Sequence, residues 1–231
     1  MKYQQRKYPQ FSACGLNCGL CPRYHTSGTS KCPGCAGDGF LTKHPKCGVL
    51  SCSQRKEIEY CYQCDEFPCK KYDGAGQSDS FISHLNQFKD LEKAKNIGMD
   101  AYSKELNEKI SVLETLLSDY DDGRRKNFFC VALNLLELQD TKKAMEQIEL
   151  EVCLEQSIKE RAAIAARLIQ TIADEQGISL KLRKKARTCE KKQEHRYLFL
   201  QNRLCKFRFV SVFYMPGESG GPRKTCLGVM V

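Results

Sequence analysis

Residues 14–69 carry ten of the chain's 15 cysteines, and that density restricts the fold more than any other feature. The stretch is also rich in Gly and Pro (Gly15, Gly19, Pro22, Pro33, Gly34, Gly37, Gly39), shows little helical period, and has few large apolar side chains with which to build a core of its own. Cross-links must then hold it together, through disulfides or through metal. The beginning of the chain mixes charges and cysteines without the apolar run of a signal peptide, so a reducing, cytoplasmic setting is expected, which disfavours disulfides. No stretch is long and apolar enough for a membrane span, and none is expected.

The spacing points to metal. Three Cys-x-x-Cys pairs stand at Cys18/Cys21, Cys32/Cys35 and Cys61/Cys64, with single cysteines at Cys14, Cys47, Cys52 and Cys69. Two intervening residues allow a tight turn in which both sulfurs face one ion. Two four-thiolate sites would use eight of the ten: Cys18, Cys21, Cys32 and Cys35 in one, and Cys52, Cys61, Cys64 and Cys69 in the other. Cys14 could replace a member of the first set, and Cys47 could replace Cys52. Two zinc ions are the expected cofactor, with an iron–sulfur cluster as the alternative, because thiolates serve either metal. Cys14-x3-Cys18-x2-Cys21 is also the spacing by which radical S-adenosylmethionine enzymes hold a cluster. Leu20 before Cys21, the lack of a Gly-Gly-Glu-like segment and the helical pattern that follows argue against that reading. His25 and His44, in loops, are expected to be solvated.

Composition divides the chain into a cysteine-rich module at 1–72, a linker at 73–80, an α-helical region at 81–188 and a tail of uncertain order at 189–231. The fold class expected is a small metal-stapled, loop-rich N-terminal module followed by an α-helical bundle, mostly α in total. Phe81, Leu85, Phe88, Leu91 and Ala94 recur at helical spacing after a cap at Asp79 or Ser80. Leu106, Ile110, Leu113, Leu117 and Tyr120 mark a second helix after Gly98. A third is expected over 127–138, and a long helical stretch after Asp140, broken near Cys153 and terminated by Gly177. Residues 178–183 alternate and suggest a short extended segment. Phe207, Phe209, Val210, Val212, Phe213 and Tyr214 form an apolar β-like run without a partner strand.

Charge adds little. The formal net charge is +9, concentrated towards the two ends, and two four-thiolate sites would offset much of the N-terminal excess. Lys181, Arg183, Lys184 and Lys185 form the densest basic run, through which nucleic acid could be bound. Arg124, Arg125 and Lys126, after Asp121-Asp122-Gly123, could hold an anion on free amides, but read more simply as a solvated turn. Cys130, in an apolar helix, reads as a buried small hydrophobe.

The strings Cys-Gly-Leu-Asn-Cys-Gly-Leu-Cys-Pro-Arg-Tyr (14–24), Cys-Pro-Gly-Cys (32–35), Cys47, Cys52 and Tyr-Cys-Tyr-Gln-Cys-Asp-Glu-Phe-Pro-Cys (60–69) resemble the prokaryotic cysteine-rich proteins grouped as domain-of-unknown-function family 3795. The resemblance covers residues 14 to about 72; the stretch 121–130 and the helical part to about 186 are similar to longer members, and 189–231 match nothing in the family. It implies small proteins whose cysteines bind zinc at two sites, and supplies no reaction. The function expected is therefore a structural zinc module with a helical region, supporting recognition of an unknown protein partner. An iron–sulfur redox or sensing protein, and nucleic-acid binding through the basic run, are the alternatives. Catalysis is not expected, because a closed four-thiolate site leaves no open position for water. The oligomeric state is left open.

Overall fold

The computed structural model describes residues 5–153 and 155–185. The tail expected at 189–231, with its β-like run, lies outside the described residues. Seven α-helices occur among them: α1 (Phe40–Lys43), α2 (Gly48–Arg55), α3 (Gln87–Ile97), α4 (Met99–Asp119), α5 (Lys126–Leu135), α6 (Leu138–Glu151) and α7 (Ile158–Glu175). Short 3-10 turns at Cys18–Leu20 and Cys61–Gln63 carry cysteines, and no strand is formed among the described residues beyond an isolated bridge at Ala75 and Ser78. The molecule is mostly α, as expected.

Helix α4 is central, packing on α3, α5, α6 and the Cys18–Leu20 turn, while α6 pairs with α7. Of the stripe expected on it, Leu106, Leu113 and Tyr120 are buried and Ile110 and Leu117 partly so, and Leu116, outside that stripe, is almost wholly covered as well. The break between α6 and α7 is set locally. Ser157 caps α7 by accepting from the Glu160 amide, and the Glu160 carboxylate accepts from the Ser157 amide in return. Gly177, at φ +66°, ends α7 through amide bonds from Gly177 to Asp174 and from Ile178 to Ala173, the reciprocal pair that a left-handed residue makes possible.

One expectation fails. The helix foreseen from Phe81 begins at Gln87 instead. Leu91 and Ala94 are fully buried, but Phe81 is 59 % and Leu85 50 % exposed. The cause is distant in sequence. Asp79, its side chain fully covered, accepts from the His84 amide at 2.9 Å and from the Arg183 guanidinium at 2.5 Å, which holds 79–84 as an irregular turn. Burial works against ionising Asp79, but Arg183 and the amides of His84 and Arg183 hold its carboxyl down to about 2. Residues 178–183 are correspondingly not a free extended segment: Leu180 is buried in the core, and the Asp79 amide donates to the Arg183 carbonyl.

The cysteine-rich segment and the helices share buried residues across 73–80. Phe11, Leu20 and Tyr60 belong to the same buried cluster as Leu91, Leu106, Phe129 and Ile148, within a single compact unit, Met1–Lys185. The residues before Cys14 are seated as well: Arg6, Phe11, Ser12 and Ala13 are all buried. A loop segment with too few apolar residues for its own core has borrowed the helices' core. Gly15 and Gly19 make that possible by close approach. A Cβ at Gly19 would lie 2.3 Å from the Ile110 Cδ1 on α4.

Candidate metal centre

Two of the three Cys-x-x-Cys pairs fold as local turns, and the third, Cys32/Cys35, is held by longer bonds. The Cys21 amide donates to the Cys18 carbonyl at 3.1 Å and the Cys64 amide to the Cys61 carbonyl at 3.0 Å, which is what places the paired side chains together. Longer bonds assemble the turns. Cys32 donates to the Arg23 carbonyl, Cys35 to Pro9, and Cys61 to Ala13.

Four of the expected ligands, Cys52, Cys61, Cys64 and Cys69, line one cavity of about 60 Å³ together with Phe67 and Tyr72. That is more than the roughly 10–15 Å³ needed to admit a water molecule. Burial pushes the Cys61 thiol up, and the nearby sulfurs of Cys69, Cys52 and Cys64 act in the same direction while a hydrogen bond from Tyr72 opposes them. The other six cysteines form a second neighbourhood. Burial raises the Cys18 thiol well above its ordinary value, reinforced by Cys35, Cys14, Cys21 and Cys32. Burial likewise pushes Cys14 up to about 12, against a contact with Ser12 and with help from Cys35 and Cys47. Cys47 caps the N-terminus of α2, its sulfur accepting from the Leu50 amide at 3.5 Å, and packs with Ala13, Cys35, Ala36 and Phe40. It thus stands with the first group rather than in place of Cys52.

Among the described residues, no three or more His, Cys, Asp or Glu side chains already stand as the ligands of a bound metal would. The sulfurs share two neighbourhoods, and ligation at the usual distance of about 2.3 Å would draw them inward. The donor set suits a thiophilic ion: the 60 Å³ cavity has four sulfurs and a single carboxylate, Glu66, on its wall. Crowded thiols raise one another's pKa only while no cation is present, and a divalent ion reverses that effect.

The remaining candidates resolve individually. His25 Nε2 lies 2.7 Å from the Gly19 carbonyl, and His44 Nδ1 2.8 Å from the carbonyl of Pro45, its ring stacked on Phe40. In the 121–126 turn, Asp121 accepts from the Gly123 and Arg125 amides and Asp122 from the Arg124 amide, so these amides are already taken. Lys126 donates to the His25 carbonyl at 2.8 Å and ties α5 to the first loop. Cys130 is 1 % exposed, and burial pushes its thiol up to about 12, which marks an unreactive core sulfur. In the basic run, Arg183 is committed to Asp79 and to the Gly76 carbonyl, while Lys181, Lys184 and Lys185 are exposed.

A polar cluster that sequence patterns do not reveal joins the first cysteine turn to the helices. Tyr102 on α4 donates to Asn17 Oδ1, and Asn17 Nδ2 donates to Asp90 on α3, each at 2.9 Å. Burial pushes the Asp90 carboxyl up to about 6, opposed by Lys109 and a Tyr102 hydrogen bond. A folded-state value above the unfolded one favours the fold while Asp90 is protonated, so this contribution is complete below about pH 4 and is lost as pH rises through about 6. Asp90→Asn, which keeps an acceptor for Asn17, should gain stability relative to the parent by about 2 kcal/mol between pH 4 and pH 7. Urea unfolding across that range checks this; parallel pH profiles for the two proteins would contradict it.

The fold and its cysteine groups define a class, a cysteine-dense loop module seated on an α-helical bundle. Residues 10–74 match the model of a family described as a protein of unknown function, DUF3795, the family and segment to which the motifs pointed. No curated protein and no solved structure matches the chain.

Proposed function

We propose that residues 14–69 form a thiolate metal scaffold, with zinc in a structural role at two sites, and that the scaffold and the helices together present a surface to a protein partner. The observation that carries this reading is the convergence of Cys52, Cys61, Cys64 and Cys69, spread over 18 residues, on one small cavity. A second support is the way the other six cysteines gather around Cys18 and Cys35. The partner half of the reading rests on Phe88, exposed and in ring contact with Phe67 and Tyr72 at the edge of that cavity, with Phe81 and Leu85 exposed a few residues before it in the chain. Isolated exposed apolar residues are ordinary, but an exposed ring continuous with two further aromatic rings suits a contact surface.

Metal analysis of protein purified without oxygen tests the proposal. A colourless preparation with about two zinc ions per chain is expected. A brown one, with iron matched by acid-labile sulfide, would replace zinc by an iron–sulfur cluster. Cys61→Ser should lose about one ion while the far-ultraviolet helical signal persists, because a hydroxyl is a poor substitute for a thiolate on such an ion and α4–α7 keep their own packing. Retention of both ions by Cys61→Ser would remove Cys61 from the ligand set.

A further inference from the structure

Two basic side chains are placed against the cysteine groups, one at each. Arg6 is 9 % exposed and donates through Nη1 to the Cys35 sulfur at 3.5 Å, with its guanidinium carbon 4.4 Å from the centre of the Tyr60 ring. Its Nε and Nη2 have no hydrogen-bond partner, and no carboxylate pairs with it among the described residues. Glu59 acts on it only at longer range. A guanidinium cannot shed its charge, and burying a cation against a neutral thiol leaves most of its desolvation uncompensated. The Cys35 sulfur, to which Arg6 donates, carries the balancing charge if it is a thiolate. At the other group, Lys56 donates to the Cys64 sulfur at 3.2 Å and pairs with Glu66 at 3.0 Å. Lys56 and Glu66 both line the cavity of Cys52, Cys61, Cys64 and Cys69.

We infer that Arg6 and Lys56 are the counter-cations of two metal–thiolate centres, each donating to one ligand sulfur, which assigns Cys35 and Cys64 as metal-bound thiolates. The inference rests on the metal reading and goes further, because it selects Cys35 from six crowded cysteines whose spacing leaves the choice open. Four thiolates around a divalent ion carry a net charge of about −2, and an N–H donated to a ligand sulfur offsets part of it. The two cations should not be equal. Arg6 is buried and acts through a poorly screened medium; Lys56 has a side chain 37 % exposed and shares its charge with Glu66.

Chelator competition on the full-length protein, loaded with zinc under reducing conditions, tests this alongside the absorption of the cobalt(II) form. Arg6→Gln should weaken retention of one of the two ions by about 10–100-fold and leave the other unchanged. The sulfur-to-cobalt charge-transfer band of that site should move to lower energy, since losing a hydrogen bond raises the sulfur donor level. Arg6→Lys, which keeps the charge without the planar fork, should recover part of both effects. Lys56→Gln, at a position where truncation opens no buried gap, should weaken the other ion by less than tenfold and shift its band in the same direction. A parent protein that holds two ions, with both Gln variants matching it in retention and spectrum, overturns the counter-cation role and leaves the metal reading standing. A parent that takes up neither zinc nor cobalt overturns both.

Discussion

Phe11→Ala is expected to destabilise the described part of the molecule as a whole, by about 3–5 kcal/mol, rather than loosening the cysteine segment alone. Phe11 is fully buried, its ring centre 4.6 Å from that of Tyr102 on α4 and 5.6 Å from that of Tyr60 beside the third Cys-x-x-Cys turn. Removing it opens a cavity where loop and helices share one core. Denaturant unfolding can be followed on two probes, helical circular dichroism and tyrosine emission, the latter unobstructed because the chain has ten tyrosines and no tryptophan. Both transitions should move together to lower denaturant. A helical transition that stayed in place would restore the independent module that composition alone suggests.

Gly15→Ala should cost more than about 3 kcal/mol, lowering the melting temperature on the order of 10 °C in a protein of this size. Gly15 has φ +94°, and a Cβ there would sit 2.4 Å from the Gln87 carbonyl oxygen and 2.5 Å from Leu91 Cγ on α3. A backbone oxygen cannot swing aside as a side-chain end can, so relief requires prising the Cys14 turn away from α3 and stretching the 2.8 Å bond from Gln87 Nε2 to the Cys14 carbonyl. Gly28→Ala is the control. Its φ of +70° imposes a similar backbone penalty, but nothing lies within 4 Å of the added carbon, so a loss of only about 1 kcal/mol is expected. Equal losses at the two sites would mean that the loop is not seated on α3 as described.

Both variants bear on how the cysteine groups could work. The turns that hold Cys14, Cys18 and Cys21 rest on α3 and α4 through Gly15, Gly19, Asn17 and Leu20, so a metal bound there would stabilise helices as well as loop. Cys61→Ser tests the third turn, which is joined to the remainder by an amide bond to Ala13, a contact with α3 and the buried ring of Tyr60 on Phe11, while α4–α7 pack on one another without it. The helical signal is therefore expected to survive that substitution while the stability of the unit falls.

What the sequence determined by itself were the features decided within a few residues. The Cys18/Cys21 and Cys61/Cys64 turns close through bonds between the cysteines' own amides and carbonyls, so spacing alone announced them, whereas Cys32/Cys35 is set by the distant Pro9 and Arg23 carbonyls. The Ser157–Glu160 cap and the Gly177 terminator are equally local, and the α4 stripe is visible because a buried helix face repeats every three or four residues. Tertiary structure decided everything that depends on groups far apart in the chain. Asp79 captures Arg183, 104 residues away, and thereby holds off the helix expected from Phe81. Gly19 matters because α4 presses on it, and Arg6, which no local pattern singles out, is carried under Tyr60 and against Cys35. The change in composition at 73–80 marks where local structure changes from loop to helix, but a core forms wherever apolar side chains can reach one another. Loops too poor in them to fold alone therefore took part of their core from helices that no local pattern connects to them.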